Sequence, residues 1–181
     1  LQWQQLRWHQ ATSRGQARLG ADPPCALDLQ SQAQAEGEWP WDADLRLRGP
    51  LASIDTRLRL SGRPGAATAT GAAPAALDAQ AQLRPFEAWP LGDVTATTRA
   101  FDLASLVPGA PRTRLDGHVR ISSQGLRQPI GVNIELDNAS PARWAEGGLP
   151  VHSLRLKLLA DPRRPDRLVL GPFEIEAADA Q

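Results

Sequence analysis

The residues able to do chemistry are few and scattered. His9, His118 and His152 are the only histidines, and none has a cysteine, histidine or carboxylate at metal-ligand spacing. His118 and His152 fall at the outward positions of alternating runs, where a solvated imidazole is the simpler reading. Cys25 is the single cysteine. It excludes an intrachain disulfide and a cysteine-based metal site, and no nucleophile motif surrounds it. The carboxylate pairs Asp42/Asp44 and Glu174/Glu176 are spaced by two, which places them on one wet strand face rather than across an acid–base site. No catalytic residue, metal or cofactor is expected, and the chain reads as a non-enzyme.

The elements carrying these residues follow from alternation. Leu27, Leu29, Ser31, Ala33 and Ala35 alternate with Asp28, Gln30, Gln32, Gln34 and Glu36. Such a period-two pattern marks a strand with one dry and one wet face. The same grammar recurs with Trp39, Trp41, Ala43, Leu45 and Leu47, and with Ile54, Thr56, Leu58 and Leu60. It returns with Leu77, Ala79, Ala81 and Leu83, then Val94, Ala96, Thr98 and Ala100. Leu115, Gly117, Val119 and Ile121 follow, then Ile130, Val132, Ile134 and Leu136. Leu154, Leu156 and Leu158 precede Phe173, Ile175 and Ala177. The pattern predicts roughly ten strands of about five to seven residues. Residues 44–50 and 56–64 nearly copy one another (DLRLRGP, TRLRLSGRP), the weak internal repetition of stacked β units.

Between these runs lie expected breaks. Residues 1–10 fit two short strand halves or one amphipathic turn. Residues 13–20 read as a polar, glycine-containing break, and a weaker break is expected near residues 62–76. A proline-bracketed corner at residues 85–90 would be packed by Phe86 and Trp89. Residues 102–107 predict one helical turn, and Ser140-Pro141 opens a second that Gly147-Gly148 would end.

Composition narrows the partners. Twenty basic and twenty acidic residues balance, so no electrostatic footprint for nucleic acid is present. Sixteen prolines and fifteen glycines disfavour long helices, and no apolar run has the length of a membrane-spanning helix. The six tryptophans suggest packing; stacking of Trp39, Trp41 and Trp89 on sugar rings, as in a carbohydrate-binding β-sandwich module, is the alternative. An outer-membrane barrel would want strands near ten residues and aromatic girdles. Without a methionine, and opening in mid-pattern, the chain reads as an internal piece of a longer protein.

Three phrases carry a family resemblance: LRPFEAWPL at residues 83–91, FDLASLVPGAPRTRLDG at residues 101–117, and IELDNASPARWAEGGLPV at residues 134–151. With LRLRGPL at residues 45–51, the chain resembles the TamB-type translocation and assembly module proteins of the AsmA-like group. The resemblance implies a segment of a taco-like β-groove. The parent would be a bacterial protein anchored in the inner membrane and crossing the periplasm. Its implied work is phospholipid transport between the membranes, and outer-membrane protein assembly beside a barrel partner.

The combined expectation is an all-β, repetitive, curved and elongated sheet with short irregular or one-turn helical connections, forming one segment over residues 1–181. Its apolar face would shelter phospholipid acyl chains. The expected lining is Leu27, Leu29, Trp39, Trp41, Leu45, Leu47, Ile54, Leu58, Leu60, Leu77, Leu83, Leu115, Val119, Ile121, Ile130, Val132, Ile134, Leu154, Leu156 and Leu158.

Overall fold

A computed structural model describes residues 1–8, 11–22, 24–36, 40–62, 74–105, 109–123, 125, 128–161, 163 and 168–177. The strands are β1 (Gln2–Trp8), β2 (Ala11–Leu19), β3 (Ala26–Ala35), β4 (Trp41–Pro50), β5 (Ile54–Gly62) and β6 (Ala76–Leu83). They continue as β7 (Leu91–Phe101), β8 (Leu115–Ser122), β9 (Ile130–Asn138), β10 (Val151–Ala160) and β11 (Leu168–Ala177). The all-β expectation is met: one curved, unclosed sheet in which every strand pairs antiparallel with its sequence neighbours, from β1 at one edge to β11 at the other.

This meander follows from the local pattern. Each alternating run exposes one polar face and needs a partner for its backbone groups, and the nearest available partner is the next run. Substantial contacts among the described elements are accordingly between consecutive strands.

Two expectations about the strands are corrected, and one open reading is resolved. Residues 13–20 are not a break, because residues 11–19 form β2, in full register with β3 from Ala11 opposite Ala35 to Leu19 opposite Leu27. The undecided residues 1–10 contain strand β1, which pairs with β2. The strands are also longer than expected, between 7 residues in β1 and 11 in β7. Pairing runs past the apolar positions into flanking glycine and proline, as where Ala26 faces Pro50. Strand length therefore does not count against a barrel, but the sheet is unclosed.

One 3-10 turn spans Leu103–Ser105, inside the expected residues 102–107, of which 106 and 107 lie outside the described residues. The second spans Trp144–Glu146, with Arg143 rather than Ser140 before it and Gly147 ending it at φ 75°. At the 84–90 corner the Arg84 N–H donates to the Pro90 carbonyl and the Glu87 N–H to the Arg84 carbonyl. That closes the turn with Phe86 outside it, 75% exposed, so Phe86 does not pack the bend. Trp89 is half-buried. The expected break near residues 62–76 falls mostly on residues 63–73, outside the described residues, while β5 and β6 on either side pair directly.

The tight packing lies at the strand ends. Among the described residues the buried apolar ones are Ala35, Ile54, Phe101, Leu115 and Ile130, each at the first or last position of its strand or its pairing. At one end, two connections meet: Arg112 forms a parallel bridge with Gly148, and the Arg112 N–H donates to the Gly147 carbonyl at 2.7 Å. Buried Thr113 closes the first of these connections. Its hydroxyl donates to the Phe101 carbonyl at 3.2 Å and accepts from the Leu103 N–H at 3.0 Å.

Candidate functional site

Register converts the alternation of single strands into rows that cross the sheet. One row runs Ala17, Leu29, Leu47, Thr56, Ala81, Val94, Ile121, Val132, Leu158 and Leu170, each residue opposite the next. Beside it run Ser31, Leu45, Leu58, Ala79, Ala96, Val119, Ile134, Leu156 and Phe173. A third holds Ala33, Ala43, Leu60, Leu77, Thr98, Gly117, Leu136, Leu154 and Ile175. Because side chains alternate between faces, these rows share one face. With strands about 4.8 Å apart, the longest row of this aliphatic band extends about 43 Å across the sheet.

Every described residue expected to line the groove lies on this face. Trp39 lies outside the described residues. Ile54, Leu115 and Ile130 are buried at the rims, so they anchor strand ends instead of offering accessible lining. The remaining expected residues are half-buried.

That intermediate exposure decides between a closed core and an open face. A second layer would bury mid-strand leucines fully, yet no described element packs across the band. The chain exposes 12518 Å², whereas a compact monomer of its mass would expose roughly 8,500 Å². Along β5 after buried Ile54, the positions on the band are half-buried and those on the outer face exposed, in strict alternation. Without a covering layer, such asymmetry arises when the sheet bends towards its apolar side, so that aliphatic neighbours crowd one another and the arginines splay apart.

The charged residues of β3 to β11 fall on the outer face, and several of them pair across strands. Arg59 contacts Asp78 at 2.8 Å, Arg155 contacts Asp137 at 3.3 Å, and His118 Nε2 lies 3.7 Å from Glu135. Arg14 donates twice to the Gln32 side-chain oxygen. These pairs are solvent-exposed, so each contributes at most about 1 kcal/mol. Their more definite effect is on register, since a one-residue slip would turn arginines into the band. The His118–Glu135 contact joins residues 17 positions apart, beyond the reach of local spacing.

Chemistry for catalysis does not converge among the described residues. No group of three metal-ligating side chains forms. His118 and His152 are both exposed, but only His118 is at an outward position, since Ser153 stands opposite Asp137 and His152 beside it falls in the alternation of Leu154 and Leu156. His9 lies outside the described residues. Cys25 is half-buried, with its sulfur 3.6 Å from the Ala21 carbonyl. Trp3, Trp41 and Trp89 are half-buried, and Trp144 stands exposed on its own 3-10 turn, so these four make no exposed row for sugar stacking. Polar atoms also sit on the apolar face, Ser31 at the head of the second row among them. The hydroxyls of Thr56 and Thr98 are buried there without a hydrogen-bond partner. No described helix is long and apolar enough to cross a membrane.

Comparison of the chain with protein-family models, curated proteins and solved structures found no match in any of the three.

Proposed function

We propose that this chain is a segment of a hydrophobic groove that shelters phospholipid acyl chains between two membranes, in the manner of the TamB/AsmA-like envelope proteins it resembles. The observation that carries the reading is the uncovered aliphatic band, continuous across consecutive strands and rimmed by buried residues at the strand ends. Sheltering suits such a surface. Each methylene moved from water onto it gains roughly 0.8 kcal/mol, and the mostly aliphatic lining leaves an acyl chain free to slide. In this reading the parent is anchored in the inner membrane, this segment lies in the periplasm, and the transported lipid supports outer-membrane protein assembly beside a barrel partner.

The test is lipid capture. Chain purified without detergent is extracted and analysed by mass spectrometry, then challenged with a photoactivatable phospholipid. Leu58, opposite Leu45 and Ala79, and Val132, opposite Ile121 and Leu158, lie in the middle of the band. Leu58→Asp and Val132→Asp should each lower cross-linking at least about tenfold, the equivalent of losing two buried methylenes, while the far-UV β signal persists. Unchanged capture in both variants overturns the reading.

A further inference from the structure

Away from the apolar band, the outer face dips where β7 meets β8. The depression has a volume of about 450 Å³, and Thr95, Thr97, Arg99, His118 and Arg120 line it. Thr97 stands opposite His118, and Thr95 opposite Arg120. Arg99 lies two residues beyond Thr97 on β7, and Arg120 two residues beyond His118 on β8. The two strands are antiparallel, so these steps lead in opposite directions, each about 6.8 Å long. The two arginines therefore flank the Thr97/His118 pair from either side. All five side chains can donate hydrogen bonds, all are exposed, and no carboxylate lines the depression.

The carboxylates around it are already engaged. Asp78, opposite Thr97, is held by Arg59 at 2.8 Å. Glu135, opposite His118, accepts from the Asn133 side-chain amide at 3.2 Å. Asp116 accepts from the Ala100 N–H at 3.0 Å, and Asp137 contacts Arg155 at 3.3 Å. Arg99 and Arg120 are left without an ion pair or hydrogen bond among the described residues. His118 Nε2 lies 3.7 Å from Glu135, too far for a hydrogen bond, so the ring keeps its capacity to donate.

We propose that this depression binds a phosphate group, with Arg99 and Arg120 closing on it from either side over a floor of Thr95, Thr97 and His118. The donor set suits phosphate better than carboxylate. Guanidinium forks match phosphate oxygens in pairs, and the group offers three terminal oxygens and nearly two charges to donors arriving from opposite directions. A carboxylate presents two oxygens in one plane. Two sources carry the same group: a soluble phosphomonoester and a phospholipid headgroup. Every residue involved lies on the outer face, so the site is independent of acyl-chain binding on the other.

The full chain, labelled with 15N, is titrated with glycerol phosphate at constant ionic strength and followed by amide chemical shifts. Saturable shifts should centre on residues 95–99 and 117–120. Arg99→Gln and Arg120→Gln each remove a charge-assisted contact and should each weaken binding about tenfold. Arg57→Gln takes a charge from β5 on the same face and should change it less than about twofold, because salt screens charges beyond the site. Succinate should bind more weakly than glycerol phosphate. Dispersed amide spectra check that each variant keeps the sheet. Pelleting with vesicles of phosphatidylcholine carrying phosphatidic acid, against phosphatidylcholine alone, separates the two sources. Pelleting that Arg120→Gln abolishes assigns a lipid headgroup, and shifts without pelleting assign a soluble phosphomonoester. Absence of both shifts and pelleting, succinate binding as tightly as glycerol phosphate, or indifference to both arginine variants overturns the proposal.

Discussion

The side-chain amide of Asn138 donates to the Leu149 carbonyl at 3.3 Å, spanning the connection between β9 and β10. The Asn138 oxygen accepts from the Arg114 N–H at 3.0 Å and the Ser140 N–H at 3.2 Å. One buried side chain, 5% exposed, thus ties the end of β9 to the approach to β8 and to the loop ahead of β10. Asn138→Ala would strand these backbone groups and should cost about 2–4 kcal/mol in urea unfolding. Asn138→Asp keeps the acceptor and loses the donor, so it should fall between alanine and wild type.

Ala100 adopts φ 46°, the only positive φ outside glycine among the described residues. It occupies the register shift between Thr98 and Phe101, where its N–H donates to Asp116 Oδ1 at 3.0 Å. An L-residue in this region costs roughly 1–2 kcal/mol, partly offset in a glycine variant by the entropy of the unfolded chain. Ala100→Gly should therefore raise stability by about 0.5–1 kcal/mol, read as a higher urea midpoint at unchanged slope.

Gly117 has φ 148°, and a Cβ there would overlap the Glu135 carbonyl oxygen on β9. Gly117→Ala should destabilise by about 3 kcal/mol or more, through backbone strain and a forced separation of β8 from β9. Hydrogen exchange should accelerate first in the amides of that ladder.

Thr56 and Thr98 carry the unpartnered hydroxyls of the apolar face. Valine keeps the shape and removes the desolvated group, so Thr56→Val and Thr98→Val should each stabilise by about 1 kcal/mol. Lipid cross-linking should be retained or increased. A loss of stability in both variants would mean that these hydroxyls find partners in solution.

Much of this architecture was legible as alternation. Leu45, Leu47, Leu58 and Leu60 face one way and Arg46, Arg48, Arg57 and Arg59 the other, as a period of two requires. β2 escaped because both of its faces are small or polar: Ser13, Gly15 and Ala17 do not read as an apolar row. Gly15 is small for a reason local pattern cannot supply, since a Cβ there would meet the Trp3 ring and the Gln30 carbonyl oxygen. Phe86 looked like packing material by hydrophobicity, but two turn hydrogen bonds set its position. The openness of the apolar face was not legible either. An alternating strand reads identically whether a second layer covers it or not, and only the pairing of all the strands into one sheet distinguishes the two.

Pairing each strand only with its neighbours in sequence also makes the hairpin a unit of length. Inserting or deleting two strands would preserve the direction and facing of all the rest, so a sheet built this way can change its length without redesign. A single residue inserted within a strand is a different matter, because it inverts everything from that point to the next turn. Over generations, length should drift freely in whole hairpins and in the loops, while the interiors of the strands tolerate substitution far better than insertion.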